Sequence, residues 1–251
     1  MATNNRFHRF IQVVWENEQF LSISELETTI TLPTIAEALH QARFRMPNMS
    51  AYIDGVGKRF YDKNQYQLTS DEVITLLLYT REVGDEDLHV SLNKALRSKD
   101  NEARNSWLPF LQLLYSAFKK LPPFDGCCWR AGTSEIRNQI QEGQSITWSG
   151  ISSCMVQSSL IKKECLNKNG ILFRINTIYA KYIYNYSTDS NVQEILLMPG
   201  TRLQVGKIEP HEKDKGITLV YLQEQSVTGK EAPMPILMRS ESQYEQTPSG
   251  K

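Results

Sequence analysis

The chain has few cysteines, no excess charge of either sign and no long apolar run, and each shortage removes a class of protein. Four cysteines in 251 residues are too few for a disulfide scaffold, and the adjacent Cys127 and Cys128 are badly placed to pair with each other. No Cys or His stands at zinc-ligand spacing, so reduced thiols and no metal are expected. Lys plus Arg and Asp plus Glu both number 28, whereas a duplex-binding surface normally carries a basic excess. Nucleic acid is therefore not an expected partner. No stretch reaches the roughly 18 apolar residues that span a bilayer, so no membrane partner is expected either. Residues 1–9 are polar and lack a charged-then-apolar leader, which points to a cytoplasmic chain and makes the sequons at Asn48 and Asn185 incidental. None of the four histidines lies in a triad-like context and no G-x-S-x-G elbow occurs, which excludes a serine hydrolase.

What is present falls into two halves. Phe10 to Trp15 is apolar and β-prone, and Thr34 to Arg43, after Pro33, reads as a helix. Thr69-Ser70-Asp71-Glu72 is a helix start, with a hydroxyl N-cap and acidic residues in the first turn, followed by an apolar face at Val73, Leu76 and Leu77. A second amphipathic helix is predicted over Asp87 to Arg97 and a third over Trp107 to Lys120, stopped by Leu121-Pro122-Pro123. The pattern then changes to short β-rich runs: Cys127–Arg130, Ser145–Ser149, Ile171–Ile175, Glu194–Met198, Thr201–Ile208 and Ile217–Gln223. Helices first and strands afterwards argue for an α+β domain.

Three polar groups stand in these strand contexts. Arg130 follows Cys128-Trp129, and a guanidinium is a permanently charged fork of donors suited to phosphate. Ser152 and Ser153 stand at a strand end after Ile151, where hydroxyls bond a ribose or orient a carboxylate; a local turn-capping role is the competing reading. Glu194 opens the run to Met198 and shares a strand face with Val192. A carboxylate there accepts a bond from a sugar hydroxyl and stabilises positive charge developing on the sugar. Its competing reading is a surface charge at a strand start.

Taken in order, these residues resemble the mono-ADP-ribosyltransferase family, in its arginine–serine–glutamate branch. Leu68 to Thr80 is similar to the first core helix, Leu92-Asn93-Lys94-Ala95-Leu96-Arg97 to a Leu-Asn-x-x-Leu-Arg helix, and Cys128-Trp129-Arg130-Ala131 to a Tyr-Arg-Gly strand. Trp148 to Cys154 resembles the serine strand, and Ala180 through Tyr186-Ser187 to Gly200-Thr201 the glutamate loop and strand. The resemblance implies a split β-sandwich of two packed sheets with flanking N-terminal helices. It implies NAD as substrate and no metal. Arg130 would contact an NAD phosphate, and the backbone of Ala131 and Gly132 would hold the nicotinamide amide. Ser153, or else Ser152, would bond the ribose and position Glu194. Glu194 would stabilise the oxocarbenium-like transition state as nicotinamide leaves. Val192, Gln193 and Tyr186 would line the acceptor site, and a loop from Met155 to Asn169 would cover the cofactor.

The departures bear on the acceptor. Trp129, Ala131, Cys154 and Met155 replace the usual Tyr, Gly, Thr and Ser. Val192 stands where arginine-modifying members carry a second glutamate. A guanidinium stays protonated beyond pH 12 and needs a carboxylate to hold and deprotonate it, which valine cannot do. Asp189 is one substitute if its loop folds inward. The reading is an NAD-dependent mono-ADP-ribosyltransferase acting on an unknown protein acceptor or on water, the alternative being a degenerate NAD- or ADP-ribose-binding module. Residues 1–45 are expected to form an N-terminal extension or helical cap, 46–239 the catalytic domain of a monomer, and 240–251 a disordered tail.

Overall fold

A computed structural model describes residues 5–12, 31–44, 53, 55, 66–82, 87–166, 169–189 and 191–226. The expected tail from 240 to 251, Trp15 and the sequon at Asn48 lie outside them. The described helices are α1 (Ile35–Gln41), α2 (Ser70–Thr80), α3 (Leu88–Arg97), α4 (Asn101–Ser106), α5 (Leu108–Lys120) and α6 (Ser158–Glu164). The described strands are β1 (Ile11–Gln12), β2 (Pro123–Gly132), β3 (Ser145–Trp148), β4 (Ser152–Met155), β5 (Ile171–Tyr182), β6 (Glu194–Leu197), β7 (Thr201–Pro210) and β8 (Thr218–Glu224).

Local chemistry explains the helix boundaries. α1 and α2 both start with a reciprocal capping box, Thr34 with Glu37 and Thr69 with Glu72. α2 is buried nearly all round, from Glu72 to Thr80, as befits a helix with neighbours on several sides. It packs on α5 through a cluster that includes Leu76, Leu77, Phe110, Leu114 and Phe118. α5 ends at Leu121, which is extended (φ −74°, ψ 147°) because the following proline disfavours a helical residue before it. No described helix is long and apolar enough to cross a membrane.

The eight described strands form one hydrogen-bonded network. β2 and β5 pair antiparallel along their whole length, from Pro123 opposite Lys181 to Gly132 opposite Ile171, with an irregularity between Phe124 and Gly126. β4 pairs with β2 and β6, and β6 returns to the far end of β5, so β2, β4, β6 and β5 close into a ring. The result is a partial barrel with a second arm, β8, β7 and β3, running from β5. Pairings are antiparallel except β1 with β2 and β5 with β8. Mixed helix and sheet is thus the architecture.

Several boundaries differ from expectation. β2 and β5 run longer than the apolar pattern suggested, because their pairing continues through polar positions such as Thr177 and Lys181. Ser152 and Ser153 begin a strand of their own instead of ending one. The segment expected as a covering loop, Met155 to Asn169, contains α6, whose Ile161 is buried beside Phe7, Phe10 and Met155. Residues 5–10 form a 3-10 turn, and the β-prone stretch from Phe10 to Trp15 supplies the two-residue β1, with residues 13–15 outside the described ones.

Candidate active site

The serine strand is held in place by α3. Asn93 brackets Ile151 from both sides, its Nδ2 donating to Ile151 O at 3.1 Å while its Oδ1 accepts from Ile151 N at 2.8 Å. This approach requires Gly150, because a Cβ there would lie 2.9 Å from Asn93 Oδ1. The next four residues then alternate across the sheet. Cys154 joins the core with Trp148 and Cys128, while Met155 joins the opposite cluster with Phe7 and Phe10. Ser152 therefore shares a face with Cys154, and its buried hydroxyl has no hydrogen-bond partner among the described residues. Ser153 lies on the other face, its Oγ 3.5 Å from the buried Tyr79 hydroxyl, which itself donates to Ile151 O at 3.2 Å.

Arg130 is buried where β1 and β4 meet the same edge of β2. Its Nη1 donates to Ser153 O at 2.5 Å and to Arg9 O at 2.6 Å, its Nη2 to Ile11 O at 3.2 Å, and its Nε to Gln12 Oε1 at 3.1 Å. Burial pulls its pKa down from the free value. Ala131 and Gly132 pair with Ile11 and Gln12. A side chain at 132 has no room, since a Cβ would come within 2.6 Å of the Phe173 ring.

Glu194 is fully buried at the start of β6, opposite Met155 of β4. Arg9 meets it side-on: Nε to Oε1 at 2.9 Å and Nη2 to Oε2 at 3.0 Å. Ser187 Oγ also donates to Oε2, at 2.8 Å. The third nitrogen of Arg9, Nη1, lies 2.9 Å from Glu82 Oε2. Burial works against a charged Arg9, but the two carboxylates outweigh it and its pKa rises. Burial likewise pushes Glu82 up to about 7 in spite of Arg9. Beside them His89 is buried with neither ring nitrogen hydrogen-bonded among the described residues; burial, then the nearby arginines, lower its pKa to about 3. Burial raises Tyr79 to about 12.

Arg130, Ser153 and Glu194, far apart in the chain, thus converge on one locus: Ser153 O accepts from Arg130, and a single residue links Arg130 to Glu194. Arg9 offers its carbonyl to Arg130 and its guanidinium to Glu194. Of the residues read as acceptor-lining, Val192 is buried with Phe7 and Phe10, and Gln193 is half-buried with its carbonyl accepting from Val156 N at 3.1 Å. Tyr186 is buried near Tyr66, its hydroxyl without a hydrogen bond among the described residues. Asp189 turns its Oδ1 to its own loop, accepting from Asn191 N at 3.0 Å. Sequence reasoning did not single out Arg9, Gln12, Glu82 or His89. Ser187 was read only as part of a loop motif.

Residues 16–227 match the family model described as NAD:arginine ADP-ribosyltransferase, and the chain belongs to that family. It is an NAD-dependent ADP-ribosyltransferase, with NAD as its substrate. No curated protein sequence matches the chain. Among solved structures it is similar to the ADP-ribosyltransferase HopU1 of Pseudomonas syringae pv. Tomato DC3000 (16% identity, TM-score 0.60, covering 78% of this chain and 99% of that one). It is also similar to a truncated form of the type III effector XopAI of Xanthomonas axonopodis pv. citri (17%, 0.59, 82% and 90%). A third is the ADP-ribosyltransferase Vis of Vibrio splendidus, solved with agmatine (16%, 0.53, 77% and 94%). These likenesses concern the fold.

Proposed function

We propose that the chain transfers ADP-ribose from NAD to a guanidinium, with Arg130, Ser153 and Glu194 handling NAD and Glu82 handling the acceptor. The observation that carries the reading is the guanidinium of Arg9 seated between Glu194 and Glu82. In the reaction Arg130 grips the pyrophosphate, and the backbone of Ala131 and Gly132 binds the nicotinamide amide. Ser153, on the Glu194 side of β4, bonds the ribose, while Ser152 faces the core. The bond from C1′ to nicotinamide breaks with its electron pair leaving on the ring nitrogen. Positive charge then grows on the ribose, where Glu194, oriented by Ser187, stabilises it. The acceptor nitrogen bonds C1′ and gives up one proton, which Glu82 accepts. Glu82 thereby supplies the second carboxylate that Val192 does not, from the end of α2 in place of the glutamate strand. We read the barrel ring and the arm from β5 as the two sheets of a split sandwich, with NAD entering at the β2–β4 edge.

The test is incubation with labelled NAD and agmatine, followed by mass spectrometry of protein and small molecules. ADP-ribosyl-agmatine with free nicotinamide is expected. Nicotinamide with ADP-ribose alone would move the acceptor to water, and no nicotinamide at all would overturn the reading.

A further inference from the structure

Of the groups assigned to NAD, Arg130, Ala131, Gly132 and Glu194 are occupied by a segment of the same chain. Residues 5–10 and β1 cover the locus, and they precede the family-matched span of 16–227. Their fit is close on both polar and apolar sides. Phe7 and Phe10 are buried against Met155, Ile161, Val192 and Ala131. Arg9 is buried with both oxygens of Glu194 satisfied by its fork. The carbonyls of Arg9 and Ile11 and the side chain of Gln12 use the donors of Arg130. The Gln12 carbonyl accepts from Thr133 N at 3.0 Å, and Ile11 and Gln12 pair with the very residues, Ala131 and Gly132, whose backbone would hold nicotinamide.

We propose that residues 5–12 are an intramolecular plug that mimics NAD and a guanidinium, so that the enzyme binds NAD only after the segment withdraws. The polar groups the plug uses are ones the substrates require: the donors of Arg130, the carboxylate of Glu194 and the backbone of β2 for NAD, and Glu82 for the acceptor. One ligand therefore excludes the other. A plug in equilibrium with its withdrawn state lowers apparent NAD affinity by the fraction of open enzyme, and leaves turnover at saturation unchanged. Arg9 acts here as a regulatory residue, since the chemistry does not use it.

This inference rests on the NAD-binding reading, and the experiment separates the two. Full-length parent, Arg9→Ala and Phe10→Asp chains are compared for NAD affinity by calorimetry and for KM and kcat of nicotinamide release, with circular dichroism confirming the fold. Both variants are expected to bind NAD at least tenfold more tightly and to show a correspondingly lower KM at unchanged kcat. A synthetic peptide of residues 1–15, added to Arg9→Ala, is expected to raise KM again without changing kcat. Equal NAD affinity in parent and both folded variants overturns the plug while leaving the NAD reading intact. No NAD binding in any of the three overturns the NAD reading and the plug with it. An unfolded Phe10→Asp chain shifts the decision to Arg9→Ala, a truncation that keeps the apolar anchors.

Discussion

Among the described residues two carboxylates, Glu72 and Glu194, are wholly shielded from solvent, and they are satisfied in opposite ways. Glu72, at the start of α2, accepts from Thr69 N, Ser116 Oγ and Lys120 Nζ, all within the helical layer it belongs to. Glu194 accepts from Ser187 in its own loop and from Arg9, 185 residues away and outside the family-matched span. A buried carboxylate needs partners either way. The helical one is held by partners that never have to leave. On the proposed reading the cleft one is held by a partner that occupies the place of substrate, so the same burial is permanent support in one region and a reversible cover in the other.

That contrast is sharpened first by Arg130→Ala. In the Arg9→Ala background, where loosening of the plug cannot offset the loss, removing a guanidinium proposed to grip pyrophosphate is expected to weaken NAD binding about 100-fold, since charge-assisted bonds contribute roughly 1.5–3 kcal/mol. Calorimetry checks it, and an unchanged affinity would detach Arg130 from NAD. The next effect falls on the acceptor. Glu82→Gln should cut transfer to agmatine by about 30-fold, within the range of general-base contributions, while nicotinamide release into water stays within about twofold. Equal losses in both would make Glu82 a part of the NAD site instead. The helical counterpart moves stability and not chemistry: Glu72→Ala is expected to cost about 2 kcal/mol by removing a cap and leaving Ser116 Oγ without its acceptor. Denaturant titration reads the loss, with nicotinamide release per folded molecule unchanged.

The last effect concerns pH. His89 has a folded pKa of about 3, below the ordinary value near 6.5. The unfolded chain thus binds the proton first as pH falls. Stability from this group is present above about 6.5 and is lost downward toward 3, at up to about 1.4 kcal/mol per pH unit. Denaturant titrations at pH 7, 6 and 5 should show a shallower decline in His89→Gln than in the parent. Parallel curves would mean that His89 is hydrated in solution.

How much of this was legible in the sequence depended on the range of each contact. Thr69 with Glu72 and Leu121 before two prolines are local signals, and the helix ends fall where they predict. Arg130, Ser153 and Glu194 stand in strands or next to strands in the apolar pattern, whereas their convergence follows from the β2–β4–β6 pairing that only the structure shows. The strand extensions were hidden by polar residues with specific partners. Lys181 is buried in β5 because its Nζ donates to Leu121 O at 2.7 Å, and burial lowers its pKa to about 8. Glu82 stands just beyond the end of α2 and carried no sequence signal. It is brought to the cleft because Thr188 bonds Thr80 twice, tying the glutamate loop to α2. Arg9 carried no signal at all: a basic residue in a polar stretch says nothing of a carboxylate 185 positions away.

The central claim is that Glu194, once uncovered, steadies the ribosyl cation. It is tested most directly by comparing nicotinamide release from NAD by Arg9→Ala and by Arg9→Ala with Glu194→Gln, so that the plug masks neither protein. The account expects the second to be about 1,000-fold slower, at the upper end for loss of one transition-state stabiliser, with NAD affinity changed far less. Equal rates in the two folded proteins would contradict it.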